Sequence, residues 1–173
     1  SLHIPAPGSE PTLASTVFEQ LFKQLHKKHS LRMTGRKNQL WEVKMSGEGA
    51  RVLFTDTIDQ GGWFRTSVRS LCNDLQSPPL KMADGETATP LFLQTPNFRC
   101  GVGSGEDATE RYVPNPACVT GAELERFTFI GTLMGAAARF NGFMELDLPA
   151  LLWRSLLGEQ IGVREIHGID ADL

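Results

Sequence analysis

The chain has 173 residues, 40% of them hydrophobic and 21% charged, with a net charge of −3. That is ordinary for one globular domain able to bury a core, and no bulk charge argues for a nucleic-acid partner. Cys72, Cys100 and Cys118 show no paired spacing, which fits a reducing compartment, cytoplasmic or nuclear, better than a disulfide framework. No basic, apolar and small-residue signal pattern opens the chain, and a start on Ser1 without methionine suggests a piece of a longer protein.

In chain order, residues 1–12 carry Pro5, Pro7, Gly8 and Pro11 and read as a flexible arm or linker, leaving 13–173 as the folded part. Thr16 and Glu19 have capping-box spacing, and Phe18, Leu21, Phe22 and Leu25 recur at helical spacing, predicting an amphipathic helix to about His29. Its far end is basic through Lys23, Lys27, Lys28, Arg32, Arg36 and Lys37, which reads as a solvated face and not as an anion site. His26 and His29 lie three apart but have no carboxylate beside them, so they read as solvent-facing and not as a metal pair.

Leu40 to Met45 alternates as a half-buried strand, followed by a turn at Ser46-Gly47-Glu48-Gly49 and a second short strand over Arg51 to Phe54. Asp59-Gln60-Gly61-Gly62 then leads into a helix whose buried stripe is Phe64, Val68, Leu71, Cys72 and Leu75, ended by Ser77-Pro78-Pro79. On that stripe Cys72 behaves as a small hydrophobe, not a nucleophile. Leu91 to Gln94 is a strand, Thr95-Pro96-Asn97 a turn, and Gly101-Val102-Gly103-Ser104-Gly105 a surface loop, since no Gly-Lys-Ser/Thr follows and Glu106 and Asp107 would repel phosphate. Cys100, beside Arg99, is the thiol expected to be exposed, but no neighbouring histidine offers it a base. Arg111-Tyr112-Val113 is a last short strand before Pro114-Asn115-Pro116 turns the chain into the next helix.

The most apolar stretch runs from Phe127 to Phe140. Thr120 and Glu123 form a capping box before it, Asn141-Gly142 supplies the stop, and apolar residues occupy nearly every direction between. This predicts a core helix surrounded on all sides, with Gly131 and Gly135 on one face where a neighbour comes close. The apolar run is too short to span a bilayer. Leu146-Asp147-Leu148-Pro149 starts another helix, with Asp147 or its neighbour near the cap and Pro149 near the first turn, and Gly158 ends it. Val163 to His167 and Asp170 onward read as starts of short helices. If the chain ends are artificial cuts, helix faces near Leu148 to Leu157 are expected to be partly uncovered.

Several ordered stretches together resemble the HECT family of ubiquitin ligases. They are Trp41-Glu42-Val43-Lys44 with Gly47-Glu48-Gly49; Asp59-Gln60-Gly61-Gly62 with Arg65; Leu91-Phe92; Tyr112-Val113-Pro114-Asn115-Pro116; Phe129 to Gly135; Leu146-Asp147-Leu148-Pro149; and Ile169-Asp170. The wording is closer to HECT domains at the ends of very large proteins than to the branch carrying WW domains. The resemblance implies an α+β, mainly α fold, the helical large subdomain of a HECT first lobe with a few short β-strands. It further implies a parent enzyme whose catalytic cysteine accepts ubiquitin as a thioester from a conjugating enzyme and passes it to a substrate lysine. By the same alignment the conjugating-enzyme-binding part and the catalytic second lobe come after the Ile169-Asp170 region. None of Cys72, Cys100 and Cys118 then matches the catalytic cysteine. No catalytic, cofactor-binding or metal-binding residue is assigned, no cofactor is implied, and the fragment alone is expected to be inactive. One departure is Ala50 to Ile58, which intervenes where the family runs with little between Gly-Glu-Gly and Asp-x-Gly-Gly. A non-catalytic interaction module with the same scaffold remains the alternative, with the basic end of the first helix as a candidate surface. A cysteine hydrolase using Cys100 is a third.

Overall fold

A computed structural model describes residues 12–27, 62–80, 82, 85–101, 111–139 and 143–173. The arm before Thr12, the strands over Leu40 to Met45 and Arg51 to Phe54, the insertion Ala50 to Ile58 and the glycine-rich stretch after Gly101 lie outside these residues. So do Asp59-Gln60-Gly61, the Asn141-Gly142 stop, His29 and most of the basic run. Among the described residues the structure is mainly helical with one two-stranded sheet, an α+β arrangement dominated by helix. By contacts the chain divides into two compact units, Ser1–Thr89 with Val119–Glu145, and Pro90–Cys118 with Leu146–Leu173.

The first unit contains a 3-10 turn at Leu13–Ser15, α1 (Val17–Leu25), α2 (Gly62–Leu75) and α4 (Gly121–Arg139). Its core is built from the stripes that helical spacing predicts. Val17, Phe18, Leu21 and Phe22 come from α1, Leu71, Cys72 and Leu75 from α2, and Phe129, Ile130, Leu133 and Ala136 from α4, all buried. Phe129 stands edge-on to Phe22 at 5.6 Å between centroids and tilted to Phe18 at 6.1 Å, so three rings interlock between α1 and α4. Full burial of each such side chain stabilises the unit by about 1.5–3 kcal/mol. The α4 cap forms as expected. Thr120 N–H donates to Glu123 Oε2 at 2.8 Å, and Glu123 N–H donates to Thr120 Oγ1 at 3.4 Å.

The picture of α4 as a helix covered on every side is corrected. One stripe is buried, whereas Leu124, Gly131, Gly135 and Ala138 are exposed, and no described neighbour lies within 4 Å of a Cβ built on either glycine. The reason is that glycine and alanine register as apolar in a sequence pattern while carrying almost no area to bury, so the true apolar arc of α4 is narrow. Arg139 also lies on the exposed side.

The second unit contains α3 (Pro96–Cys100), α5 (Ala150–Leu157), α6 (Val163–His167) and the hairpin strands β1 (Phe92–Gln94) and β2 (Tyr112–Pro114). The strands pair antiparallel with Leu93 opposite Val113. Phe92, Tyr112, Cys118, Leu146 and Leu148 form its apolar core. Three local expectations change here. Thr95-Pro96-Asn97 is not a turn but the start of α3, with Pro96 fixing φ at the first helical position and Gly101 closing the helix at φ 66°. Pro149, expected near the first turn, itself occupies the N-cap of α5, and neither Asp147 nor its neighbour Leu148 does; the Asp147 carbonyl accepts the Tyr112 N–H at 2.8 Å. Asp170 to Leu173 are not helical but form a turn in which Asp172 N–H donates to Asp170 Oδ1. Gly158, at φ 70°, ends α5 as expected.

Candidate functional site

The sequence assigns no catalytic residue, so the site is built from where the structure concentrates buried polar chemistry. In the first unit this is the N-terminal turn of α1. A helix start leaves backbone N–H groups without intrahelical partners. Thr16 Oγ1 accepts the Glu19 N–H at 3.2 Å, and Asp74, reaching from α2, accepts the Phe18 N–H at 3.2 Å. Burial pushes the Asp74 carboxyl above its ordinary value of 3.8, and the Phe18 and Val17 N–H groups offset part of that rise.

Only half of the expected Thr16–Glu19 capping box forms. The Glu19 side chain is 4% exposed and turns to α4, where Arg126 Nε and Nη2 donate to its two oxygens at 2.6 and 3.3 Å. The Thr16 N–H is meanwhile spent on Leu13 O in the preceding 3-10 turn. The Arg126 guanidinium also sits 4.9 Å over the Phe22 ring and donates from Nη1 to Ala122 O at 3.0 Å. This bidentate, ring-stacked pair joins α1 to α4 and has no feature of a reacting centre.

His26 is likewise occupied. Its ring stacks on Phe22 at 4.3 Å and Nδ1 lies 2.6 Å from the Phe22 carbonyl. Among the described residues no group of three or more His, Cys, Asp or Glu side chains gathers as a metal site, and no helix is long and apolar enough to cross a membrane.

In the second unit the buried polar side chains include two asparagines that sequence reasoning places in turns. Asn115, 7% exposed, donates from Nδ2 to Pro90 O at 2.8 Å and accepts the Ala117 N–H at 3.0 Å. Its own N–H goes to Leu91 O at 2.9 Å. Asn97, 5% exposed, donates from Nδ2 to His167 O at 2.8 Å and accepts the Ala171 N–H at 2.7 Å. A Pro-Asn dipeptide is the one sequence signal for either, and it says "turn" without saying what the amide holds.

The cysteines divide as expected. Cys72 and Cys118 are buried and Cys100 is exposed. The Cys118 thiol donates to Pro90 O at 3.4 Å, a packing use of sulfur. On the surface Arg154 of α5 reaches Glu165 of α6 at 3.0 Å, and Glu165 also accepts the Gly162 N–H at 2.9 Å. That amide, then the residue's own N–H and the charge of Arg154, hold the Glu165 carboxyl below the usual carboxylate range. No residue of α5 is buried, and Trp153, Leu156 and Leu157, at helical spacing, are exposed. The uncovered face expected near Leu148 to Leu157 is therefore present, on the C-terminal half of α5.

The family model described as HECT-domain (ubiquitin-transferase) matches residues 69–173. The chain is 29% identical over 135 residues to E3 ubiquitin-protein ligase HERC2 of Mus musculus and 28% identical over 135 residues to the protein of that name from Homo sapiens. Each alignment covers 78% of this chain and 2% of the relative. It is 29% identical over 100 residues to the probable E3 ubiquitin-protein ligase HECTD4 of Homo sapiens, covering 58% of this chain and 2% of that protein. The chain thus spans about 2% of the length of the curated relatives it matches. No solved structure matches it.

Proposed function

The chain belongs to the HECT-domain ubiquitin-transferase family, and from that premise we propose that residues 13–173 are the large subdomain of a HECT first lobe, the scaffold of a ubiquitin-protein ligase. In the parent protein a cysteine outside this chain attacks the thioester carbonyl of a charged conjugating enzyme. The conjugating enzyme leaves as a thiol and ubiquitin is carried as a new thioester. A substrate lysine amine then attacks that carbonyl, forming an isopeptide bond and releasing the ligase thiol. The partners are the charged conjugating enzyme and protein substrates, and the setting is cytoplasmic or nuclear.

The observation that carries this reading is the family match from Arg69 to the end of the chain. The use of buried polar groups supports a scaffold role. Asp74, Glu19, Asn97 and Asn115 are each engaged by backbone or ion-pair partners that hold elements together. A chemically active group would instead face an open site.

A second reading, a non-catalytic interaction module on the same scaffold, draws on the exposed Trp153, Leu156 and Leu157. The test tracks discharge of a ubiquitin-charged conjugating enzyme by this chain and by the chain extended to the natural C-terminus of its parent. A reductant-sensitive ubiquitin adduct on the longer protein alone is the expected result. A folded longer protein that forms no adduct would favour the interaction module. Thiol-dependent hydrolysis by the short chain, lost in Cys100→Ala, would instead establish an independent cysteine hydrolase.

A further inference from the structure

We infer that Asn97 is a positioning residue for the transfer reaction, fixing the course of the chain through residues 167–171 and so the placement of the downstream polypeptide in the parent ligase. This rests on the scaffold function proposed above. Asn97 spends three groups on that short stretch. Its backbone N–H donates to Ile169 O at 3.0 Å, Nδ2 donates to His167 O at 2.8 Å, and Oδ1 accepts the Ala171 N–H at 2.7 Å. The three bonds land on His167, Ile169 and Ala171, so one asparagine grips the last residue of α6 and the turn that follows it.

Apolar burial contributes little to the same hold. None of the residues from His167 to Leu173 is buried, and Leu173 is 80% exposed. The bonds that Gly168, Ile169 and Asp170 make from their N–H groups return to Arg164 O and Ile166 O, which closes the end of α6 on itself. They set the shape of the turn but not its direction relative to the hairpin. Asn97, 5% exposed in α3 and just after Gln94 and Thr95, ties that turn to the strand-bearing part of the unit.

The second buried asparagine supplies a matched control. Asn115 has similar burial and the same donor and acceptor use, but its partners are Pro90, Leu91 and Ala117, around the hairpin and away from the tail. Loss of either amide removes two part-buried hydrogen bonds to backbone groups and destabilises the unit by a similar mechanism. A difference between them in ubiquitin transfer therefore reports positioning and not stability.

The experiment uses the chain extended to the natural C-terminus of its parent, as wild type, Asn97→Ala, Asn97→Asp, Ala171→Pro and Asn115→Ala. Asn97→Asp keeps the acceptor for Ala171 but cannot donate to the His167 carbonyl. Ala171→Pro removes one N–H from an exposed position and leaves Asn97 in place. Amide hydrogen exchange is measured over 167–172, together with single-turnover transfer of ubiquitin from a charged conjugating enzyme at several concentrations.

In Asn97→Ala we expect exchange across 167–172 to rise, and the maximal transfer rate to fall, by roughly tenfold each, the effect of losing one or two hydrogen bonds. The half-saturating concentration of the conjugating enzyme stays unchanged. Asn97→Asp and Ala171→Pro shift in the same direction with smaller losses. Asn115→Ala, compared at matched melting temperature, keeps near-wild-type transfer. Equal transfer losses in Asn97→Ala and Asn115→Ala, or wild-type transfer by Asn97→Ala with its tail released, overturn the inference. Should Asn97→Ala fail to fold, Ala171→Pro decides: released exchange with slowed transfer supports the inference and unchanged transfer overturns it. A wild-type parent that forms no thioester overturns the scaffold function itself, a result distinct from either.

Discussion

Replacing Arg126 by methionine tests how the first unit is held together. Methionine keeps much of the arginine's length and its contact with the Phe22 ring, but removes both donors to Glu19. The Glu19 side chain is only 4% exposed, so its carboxyl group would lose both ion-pair hydrogen bonds in a largely buried position. Breaking a buried pair from one side costs about 3–5 kcal/mol. Because Arg126 itself keeps 25% exposure, some water can replace it once it is lost, and the lower end, about 3 kcal/mol, is expected.

The reverse change, Glu19→Leu, should cost less, about 1–2 kcal/mol, since an arginine already a quarter exposed can turn its guanidinium outward. The double variant Glu19→Leu with Arg126→Met removes both charges and should cost no more than Arg126→Met alone. Urea titration monitored by far-UV circular dichroism reads all three, and for a chain of this size 3 kcal/mol corresponds to a melting shift of about 6–12 °C. An Arg126→Met cost below about 1 kcal/mol, or a double variant equal to the sum of the singles, would refute the reasoning.

Gly131→Ala and Gly135→Ala should each raise stability, by about 0.5–1 kcal/mol, because both glycines are exposed within a helix and no described atom lies in the way of a Cβ. A drop in melting temperature in either would show that a neighbour does pack there, as the sequence pattern alone suggests. Asp74 carries a pH signature. Its folded-state pKa is raised by burial, so its contribution to stability is full below the unfolded value of 3.8 and is lost as pH rises through the folded value. Asp74→Asn should therefore gain stability relative to wild type as pH rises through that window, and a pH-independent difference in denaturation midpoints would rule this out. The exposed Leu156 and Leu157 of α5 should make the isolated chain associate in a concentration-dependent way, reversed by Leu157→Lys. Light scattering showing a clean monomer at high concentration would count against it.

What could be read from the sequence is what neighbours along the chain decide. The Thr120–Glu123 box, the Gly158 stop, the strands at Phe92 and Tyr112, and the burial of Cys72 all derive from spacing within a few residues or from period and polarity. The family resemblance is legible in the same local wording. Glu19 with Arg126, Asp74 with Phe18 and Asn97 with Ala171 are separated by 107, 56 and 74 positions. Each is polar, and polarity along a helix or in a turn reads as surface unless the distant partner is known. The glycines of α4 err in the other direction. Their small side chains suggest a close neighbour, and the exposed face shows that a helix can tolerate the cost of glycine without one.

The interleaving of the two units has a consequence for biosynthesis. The first unit is built from Ser1–Thr89 and Val119–Glu145, with Pro90–Cys118 of the second between them. When Thr89 leaves the ribosome, Phe18 and Phe22 of α1 still lack the Phe129 ring they pack against, and Glu19 lacks Arg126. At about 5–20 residues per second, roughly 3 to 11 seconds pass before Glu145 emerges. During that interval the aromatic face of α1 and a buried-to-be carboxylate stand exposed together on a nascent chain. This makes the half-made first unit, and not the finished protein, the form that most needs a chaperone.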